Sequence, residues 1–262
     1  MELGLKGRKA LITGASKGIG AAIARSLAAE GCNLALTARS AAQLETLCSE
    51  LTGAHGIVAT AIAGDLREPA QIDRLISATS DTDILINNAG DIPGGSLEAI
   101  DDTRWRTAWD LKVMGYINLA RAFYTLMKQR NSGTIINVIG AAGERMDANY
   151  IAGSTGNAAL YAFTRALGGA SMNDGIRVVG VSPGPVQTER IEQLMRTAAK
   201  ARLGDSDRYD ELMQGLPAGR AATPREIADV VAFAASTRAS YISGTVITVD
   251  GGLSANPSST FG

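Results

Sequence analysis

The chain has 262 residues, 45% of them hydrophobic, and its 25 basic and 26 acidic residues give a formal net charge of −1. A chain of this length can fold as one domain with a large core. The charge balance gives no support to a nucleic-acid partner, and the absence of a run of 18 apolar residues predicts no membrane span.

Few residues suit metal binding or disulfide bonding. Cys32 and Cys48 are the only cysteines, they form no CxxC pair, and His55 is the only histidine. We therefore expect neither a metal site nor a disulfide framework. The first six residues lack the apolar segment of a signal peptide, and together with the few thiols this favours a cytoplasmic protein.

Short apolar segments alternate with longer helical segments. Strands are predicted at Lys9–Thr13, Asn33–Ala38, Ile57–Ile62, Ile84–Asn87, Thr134–Ile139, Ile176–Val181 and Thr245–Val249. Helices are predicted between them, including Ile19–Ala29, Ala41–Leu51, Asp102–Lys128, Ala158–Met172 and Pro224–Ala235. The strands are almost continuously apolar, as strands buried on both faces are. The pattern predicts a single α/β domain with a doubly wound parallel sheet of about seven strands.

One long segment departs from this alternation. Residues 189–217 are rich in charge, include Met195 and Met213, and contain no strand pattern. Connections in compact α/β domains are usually short, and long ones are more often functional. We therefore predict that residues 189–217 form a lid over a substrate site.

A glycine-rich turn follows the first predicted strand and begins the first predicted helix. Its candidate ligand-binding residues are Gly14, Ser16, Lys17, Gly18, Ile19 and Gly20. Glycines let the backbone turn tightly and approach a pyrophosphate, which the positive N-terminal end of a helix attracts. A tight turn alone could also explain the glycines. However, strand, turn and helix occur in the order that dinucleotide binding requires.

The end of the second strand indicates which dinucleotide is preferred. Sites for NAD usually have a carboxylate there, which binds the ribose 2′-hydroxyl and would repel a 2′-phosphate. This chain has Arg39 instead, and Lys17 adds a positive charge in the glycine turn. Both could be solvated surface cations. Acting together they predict a preference for NADP(H), with NAD(H) still possible.

Three further motifs follow in order: Asp65-Leu66, Asn87-Asn88-Ala89-Gly90 and Pro183-Gly184-Pro185-Val186-Gln187-Thr188. With the glycine turn they resemble the short-chain dehydrogenase/reductase family, over about residues 5 to 253, and this implies a Rossmann-like fold. The resemblance implies that the first motif contacts adenine and that Asn88 braces the sheet. It also implies that Gly90 admits the nucleotide and that Val186 and Thr188 hold the carboxamide. Ala89, Pro183 and Gly184 are further implied cofactor contacts.

The chemistry of that family uses four side chains. Tyr transfers a proton, Lys favours ionisation of the Tyr and holds the ribose, Ser positions the carbonyl, and Asn helps to hold a water chain. Counting back from Thr164 or Pro183 without a gap puts Asn157 at the Lys position, and the family spacing then puts Gly153 at the Tyr position and Gly140 at the Ser position. The Asn position, three residues before Gly115, is Lys112. All four differ from the family pattern.

These substitutions suggest a rearranged acid–base set. Lys112 and Asn157 stand where the family has Asn and Lys, so the amine and the amide could have exchanged helices. Tyr150 lies one helical turn before Gly153. We hypothesise that Tyr150 reaches the space freed at Gly140 and Gly153, and that Lys112 supplies a positive charge favouring its phenolate. Tyr150, Lys112 and Asn157 are the candidate catalytic residues. The two glycines could instead leave room for a bulkier substrate.

Two alternatives remain open for these residues. A second alignment puts Tyr150 at the family Tyr, but it puts Ser154 at the Lys position and needs a three-residue insertion in the following helix. In a purely structural interpretation, Tyr150 packs at the helix start and Lys112 pairs with Asp110 or Glu144.

The sequence therefore predicts an NADP(H)-dependent oxidoreductase that interconverts a carbonyl and an alcohol on a small molecule. The alternatives are a dinucleotide-binding sensor or inactive oligomer partner, and a lyase or isomerase that keeps the nucleotide for structure. They follow from the changes at all four catalytic positions. The resemblance also implies a homotetramer or homodimer, assembled through helices 102–128 and 150–172.

Overall fold

Seven apolar segments form strands in the computed structural model, which describes residues 2–256. They are β1 (Lys9–Thr13), β2 (Asn33–Ala38), β3 (Ala59–Ala63), β4 (Ile84–Asn87), β5 (Gly133–Val138), β6 (Ile176–Pro183) and β7 (Thr245–Val249). All pair in parallel in one sheet, in the order β3-β2-β1-β4-β5-β6-β7. The predicted doubly wound sheet is confirmed.

Most strand bounds agree with the sequence pattern, and the differences lie at β3, β5 and β6. β3 begins two residues later than predicted because the preceding helix continues to His55 and ends at Gly56 in a left-handed conformation. Ile57 is buried without being part of the strand. β5 is displaced by one residue towards the N-terminus, and β6 continues to Pro183.

Nine α-helices lie within residues 2–256. They are α1 (Gly18–Ala29), α2 (Ala41–His55), α3 (Pro69–Ala78), α4 (Asp102–Trp109), α5 (Gly115–Gln129), α6 (Ile151–Ser171), α7 (Glu189–Leu203), α8 (Tyr209–Gln214) and α9 (Pro224–Ala235). A π-helical turn, Asp110–Met114, joins α4 to α5 where one unbroken helix was predicted. Such turns often occur at functional sites.

Two helices differ from the sequence prediction for identifiable reasons. α3 was not predicted, because only Ile72 and Leu75 of its ten residues are buried and its apolar signal is weak. α6 begins seven residues before the start predicted from the apolar pattern, and within one residue of the start at 150 that the resemblance implied. Its first turns contain Gly153 and Gly156, which lower helix propensity but permit close packing. A Cβ atom at Gly156 would lie 3.1 Å from Trp109 Nε1.

The core has two layers, one on each face of the sheet. Neighbouring strand residues point to opposite faces. Ile12 packs in a cluster with residues of α1, α2 and α9, whereas Leu11 packs with residues of α3 and α5. Within residues 2–256, no helix is both long and apolar enough to cross a membrane.

The order of the strands determines where a ligand can bind. The chain runs outward from β1 through β2 to β3 on one side, and from β4 to β7 on the other. Connections therefore leave the ends of β1 and β4 in opposite directions. In open parallel sheets, a crevice forms at this point outside the carboxyl ends of the strands.

Helix α6 approaches the sheet closely at one glycine. A Cβ atom at Gly168 would lie 2.4 Å from the Gly244 backbone nitrogen and 2.7 Å from the Val178 carbonyl oxygen. These are backbone atoms, which cannot move aside as a flexible side chain can. In contrast, a Cβ atom at Gly53 in α2 would meet nothing within 4 Å.

We expect Gly168→Ala to lower the free energy of unfolding by about 1–3 kcal/mol, because the added methyl group overpacks the α6–sheet contact. The matched control, Gly53→Ala, should raise it by up to about 1 kcal/mol, since alanine is favoured in an exposed helix. Urea denaturation of both variants measures the difference. Equal stability of the two variants would contradict this description of the contact.

Candidate functional site

A cleft of ≈ 1120 Å³ lies outside the carboxyl ends of the strands. It is lined by segments that follow β1, β2, β3, β4, β5 and β6. All the cofactor and catalytic residues selected from the sequence line it, with the exception of Gly20. A Cβ atom at Gly20 would lie 2.2 Å from the Gly14 carbonyl oxygen, so this glycine allows α1 to pack against the turn that precedes it.

The glycine turn forms a cradle in which side chains would not fit. Gly14 has a φ of +65°, and a Cβ atom there would lie 2.9 Å from Ala89 Cα. Gly18 has a φ of +58° and begins α1. No side chain caps this helix start, so its first backbone N–H groups can bind an anion. The turn therefore fits the pyrophosphate of a dinucleotide.

Asn88 holds the two diverging strands together at the floor of the cleft. Its side-chain amide donates to the backbone oxygens of Thr13 (3.0 Å) and Gly14 (3.3 Å). In return, Thr13 Oγ1 accepts from the backbone N–H groups of Asn88 (2.9 Å) and Ala89 (3.0 Å). These bonds fix the glycine turn relative to the end of β4.

The two cations selected from the sequence have different surroundings. Arg39 is exposed at the cleft edge and makes no hydrogen bond or ion pair within residues 2–256, so its guanidinium can receive a phosphate. The Lys17 ammonium pairs with the Glu189 carboxylate at the start of α7. Both partners are largely exposed, and such pairs contribute little to stability. A bound phosphate could replace Glu189 as the partner of Lys17.

Asp65 and the segment after β6 form two further parts of the cleft wall. The hydrogen bonds that Arg67 donates to Asp65 lower the pKa of this carboxyl, which keeps it ionised and fixed in place. On the other side, the Gly184 backbone N–H donates to the Val249 carbonyl oxygen (3.0 Å). A Cβ atom at Gly184 would lie 2.7 Å from Asp250 Cβ, so glycine permits this contact.

The Tyr150 ring occupies the place of a side chain at Gly153. A Cβ atom built on Gly153 would lie 2.1 Å from two carbon atoms of the Tyr150 ring. Tyr150 precedes the first residue of α6 and lines the cleft. The space freed at Gly153 is therefore filled by an aromatic ring from one turn earlier, and no room for a bulkier substrate remains there.

Lys112 and Asn157 converge on the same peptide. The Lys112 ammonium donates a hydrogen bond to the Ile139 carbonyl oxygen (2.6 Å). Asn157 is buried, and a Cβ atom at Gly140 would lie 3.0 Å from its Nδ2 atom. The amine and the amide thus lie on either side of the 139–140 peptide. A Cβ atom at Gly90 would lie 2.8 Å from Lys112 Cδ, so the missing side chain there gives room to the lysine stem.

Within residues 2–256, Lys112 does not form the ion pair with Asp110 or Glu144 that the structural interpretation predicted. Glu144 accepts a hydrogen bond from Thr248 Oγ1 (3.0 Å), while Lys112 points towards Ile139. Burial, together with the smaller effect of the positive charge of Arg190, lowers the pKa of Lys112 to about 7. The side chain therefore exchanges between its neutral and charged forms near neutral pH.

The cofactor and catalytic motifs did not include Arg190, which the sequence favours as a solvated charge on a lid helix. Its guanidinium donates to Asp91 Oδ1 (3.0 Å), to the Ile92 carbonyl oxygen (2.7 Å) and to the Tyr150 hydroxyl (3.2 Å). Arginines on a charged helix usually point into solvent, and the sequence carries no signal that this one turns inward. The cation in contact with Tyr150 thus comes from α7, whereas Lys112 was expected to have this role.

Only part of the segment 189–217 reaches the cleft. Glu189, Arg190, Ile191, Gln193 and Leu194 in the first two turns of α7 line it. Met195 and the residues of α8 do not. A Cβ atom at Gly94 would lie 3.1 Å from Leu194 Cδ2, so α7 packs closely on the loop that follows β4.

Comparisons with known proteins agree with this geometry. A family model described as enoyl-(acyl carrier protein) reductase matches residues 14–254. The uncharacterized oxidoreductase YvrD of Bacillus subtilis is 32% identical, covering 97% of this chain and 98% of the relative. The 3-oxoacyl-(acyl-carrier-protein) reductase FabG of Vibrio cholerae is 33% identical, covering 96% and 99%. L-sorbose reductase from Gluconobacter frateurii, solved with NADPH and L-sorbose, has a TM-score of 0.88 and 31% identity, covering 98% of this chain and 100% of that one.

The lowered pKa of Lys112 predicts that the stability of the fold depends on pH. Between the folded value of about 7 and the ordinary value of 10.5, the unfolded chain binds more protons than the folded chain, so stability rises with pH across this window. The cost of burying the charge is complete below about pH 7. Lys112→Met removes this cost. We expect its gain in Tm over the wild type to be several degrees larger at pH 6 than at pH 10, since each kcal/mol moves Tm by about 2–4 °C.

Differential scanning calorimetry at both pH values measures this gain. Lys128→Met is the matched control, because Lys128 lies on α5 in an exposed pair with Asp174 (3.0 Å). A Tm difference between Lys112→Met and the wild type that does not change with pH would show that Lys112 keeps its ordinary ionisation.

Proposed function

Because this chain belongs to the short-chain dehydrogenase/reductase family, we propose that it is an NADP(H)-dependent oxidoreductase with an altered acid–base set. It would interconvert a carbonyl and an alcohol on a small molecule. The cleft at the β1–β4 divergence, with its glycine cradle, supports dinucleotide binding.

Several features support NADP(H) as the preferred cofactor, with NAD(H) as a weaker one. The related L-sorbose reductase is solved with NADPH. In this chain, the α1 N-terminus would hold the pyrophosphate, and Arg39 with Lys17 would hold the 2′-phosphate. Asp65 would face the adenine, and Val186 and Thr188 the carboxamide. When bound, this cofactor supplies or accepts the hydride.

One observation carries the acid–base proposal: the Tyr150 ring fills the place of a side chain at Gly153. Tyr150 would thereby bring a phenol to the end of the cleft, although the residue in family register is glycine. Its hydroxyl would give a proton to the carbonyl oxygen during reduction and take it back during oxidation.

Lys112 and Asn157 would support this role through their contacts with Ile139 and Gly140. Lys112 hydrogen bonds the Ile139 carbonyl, and Asn157 packs against Gly140, so both hold the segment that follows β5. With a pKa of about 7, Lys112 can also accept or release a proton under physiological conditions.

The lid would complete the substrate site. Ile191 and Leu194 give an apolar wall on the α7 side of the cleft, while Arg190 gives a polar one. A lid of this kind excludes water from the reacting groups. We propose that residues 189–217 have this function.

A second candidate is a dinucleotide-binding protein without redox turnover. One observation favours it: within residues 2–256, the Lys112 ammonium makes a hydrogen bond to Ile139 and none to Tyr150. If proton transfer is absent, the cleft would bind NADPH without transferring its hydride.

We also propose a symmetric homotetramer, with a homodimer as the alternative. On α6, Ala162, Ala166 and Gly169 are exposed, and such small residues permit close helix approach. Light scattering of the purified protein tests the assembly.

We expect Arg39→Gln to weaken NADPH binding by about ten- to a hundredfold, because a charge-assisted hydrogen bond contributes about 1.5–3 kcal/mol. Affinity for NADH, which lacks the 2′-phosphate, should stay within about twofold and serves as the control. Titration of nicotinamide fluorescence measures both. Equal losses for the two cofactors would contradict the role of Arg39.

Tyr150→Phe should lower kcat by about 100- to 10 000-fold, which is the usual contribution of a positioned acid or base. NADPH affinity should be unchanged, because the ring remains. The assay is NADPH oxidation with a panel of small ketones that includes L-sorbose. Tyr241→Phe is the control, since Tyr241 is 92% exposed and lies outside the cleft. Full turnover by Tyr150→Phe would refute the assignment.

A further inference from the structure

Arg190 connects the lid to the proposed acid. The Nη2 atom of Arg190 donates both to the Ile92 carbonyl oxygen (2.7 Å) and to the Tyr150 hydroxyl (3.2 Å). Its Nη1 atom donates to Asp91 Oδ1 (3.0 Å). The first two contacts are partly buried. The guanidinium is held in position because two acceptors besides the Tyr150 hydroxyl, Asp91 Oδ1 and the Ile92 carbonyl oxygen, orient its planar donors.

The other charged groups near Tyr150 are engaged elsewhere. Lys112 donates to the Ile139 carbonyl. Arg145 donates to the Leu253 carbonyl (3.1 Å), and Arg202 lies 3.6 Å from Asp147, which precedes Tyr150. Asp91 accepts a hydrogen bond from the same guanidinium of Arg190. Among the charged groups of the described residues 2–256, Arg190 is therefore the one that donates a hydrogen bond to the phenol oxygen.

We propose that Arg190 is the positioning residue that stabilises the phenolate of Tyr150. It would replace the family's lysine, whose position is occupied by Asn157 in this chain. This inference rests on the proposed function, since it assigns a role to the same acid. A hydrogen bond from a cation to the charged form of a group favours that form. Arg190 belongs to α7, so the acid is complete only when the lid is seated.

The reduction step balances with these groups. A bound cofactor would supply the hydride to the carbonyl carbon, and the carbonyl oxygen would take the proton of Tyr150 Oη. The products would be the alcohol, the oxidised cofactor and a phenolate that accepts the Arg190 N–H. In the reverse direction, the phenolate takes the hydroxyl proton of the alcohol as its carbon gives up hydride.

Tyrosine nitration tests this proposal without turnover. Tetranitromethane reacts with ionised tyrosine, so the extent of nitration at mildly alkaline pH reports the phenolate fraction. Mass spectrometry of peptides gives the ratio of nitration at Tyr150 to nitration at Tyr241, an exposed internal reference. The variants are Arg190→Gln, Arg190→Lys and Arg196→Gln. Arg196 is the matched control, because it lies on α7 with two ion pairs to Glu192 and Asp207 and outside the cleft.

We expect the ratio to fall about tenfold in Arg190→Gln, to recover in part in Arg190→Lys, and to stay unchanged in Arg196→Gln. Loss of the arginine also opens access to Tyr150, which would raise nitration, so a fall reports ionisation. An unchanged or higher ratio in Arg190→Gln, or the same fall in Arg190→Lys as in Arg190→Gln, would overturn the proposal.

The same variants separate this inference from the proposed function. A ratio that falls as expected, in a protein that transfers no deuteride from labelled NADPH to any ketone of the panel, would support the contact and refute the oxidoreductase. Deuteride transfer with an unchanged ratio would support the oxidoreductase and refute the role of Arg190.

Discussion

The Tyr150 ring lies against the bare Cα of Gly153, and the arrangement of the reactive end of the cleft depends on this contact. Any side chain at position 153 would displace the ring, because its Cβ atom would overlap two ring carbons. With the ring in place, the Tyr150 hydroxyl meets Arg190 of the lid. The absence of a side chain at Gly153 therefore allows Tyr150, at the start of α6, to line the cleft and contact α7.

Close packing also determines the arrangement of the segment that follows β5. Gly140 has a φ of +151°, which favours glycine, and Asn157 packs against it. Lys112 reaches the neighbouring Ile139 carbonyl from a π-helical turn and passes Gly90 on its way. At the two glycines, a substitution towards the family pattern would therefore meet a neighbouring side chain. Gly153→Tyr would meet Tyr150, and Gly140→Ser would strain the backbone beside Asn157. Gly153 thus packs with Tyr150, and Gly140 packs with Asn157.

Much of the fold could be predicted from the sequence, because the signals are local. Continuous apolar segments give the strands, and the glycine turn between β1 and α1 gives the position of the cleft. α3 escaped prediction because its buried face is too small. The apolar pattern alone placed the start of α6 too late, because glycine lowers local helix propensity, while packing against Trp109 favours glycine.

The site was predictable only in part. Glycine at 153 and tyrosine one turn earlier suggested the position of the ring, because side chains one turn apart share a helix face. The contact of Arg190 with Tyr150 joins residues 40 positions apart and depends on how α7 folds back over the loop after β4. No local pattern encodes such a contact. The hydrogen bond of Lys112 likewise depends on the π-helical turn, which lies within an otherwise regular helical pattern.

Deuteride transfer tests the proposed function most directly. The protein would be incubated with NADPH deuterated on one face of the nicotinamide and with the panel of small ketones, and the alcohols analysed by mass spectrometry. We expect deuterium in the alcohol from one labelled face only, since a fixed cleft presents one face of the cofactor. Tight NADPH binding with no deuterium in any product would contradict an oxidoreductase and favour a dinucleotide-binding protein without redox turnover.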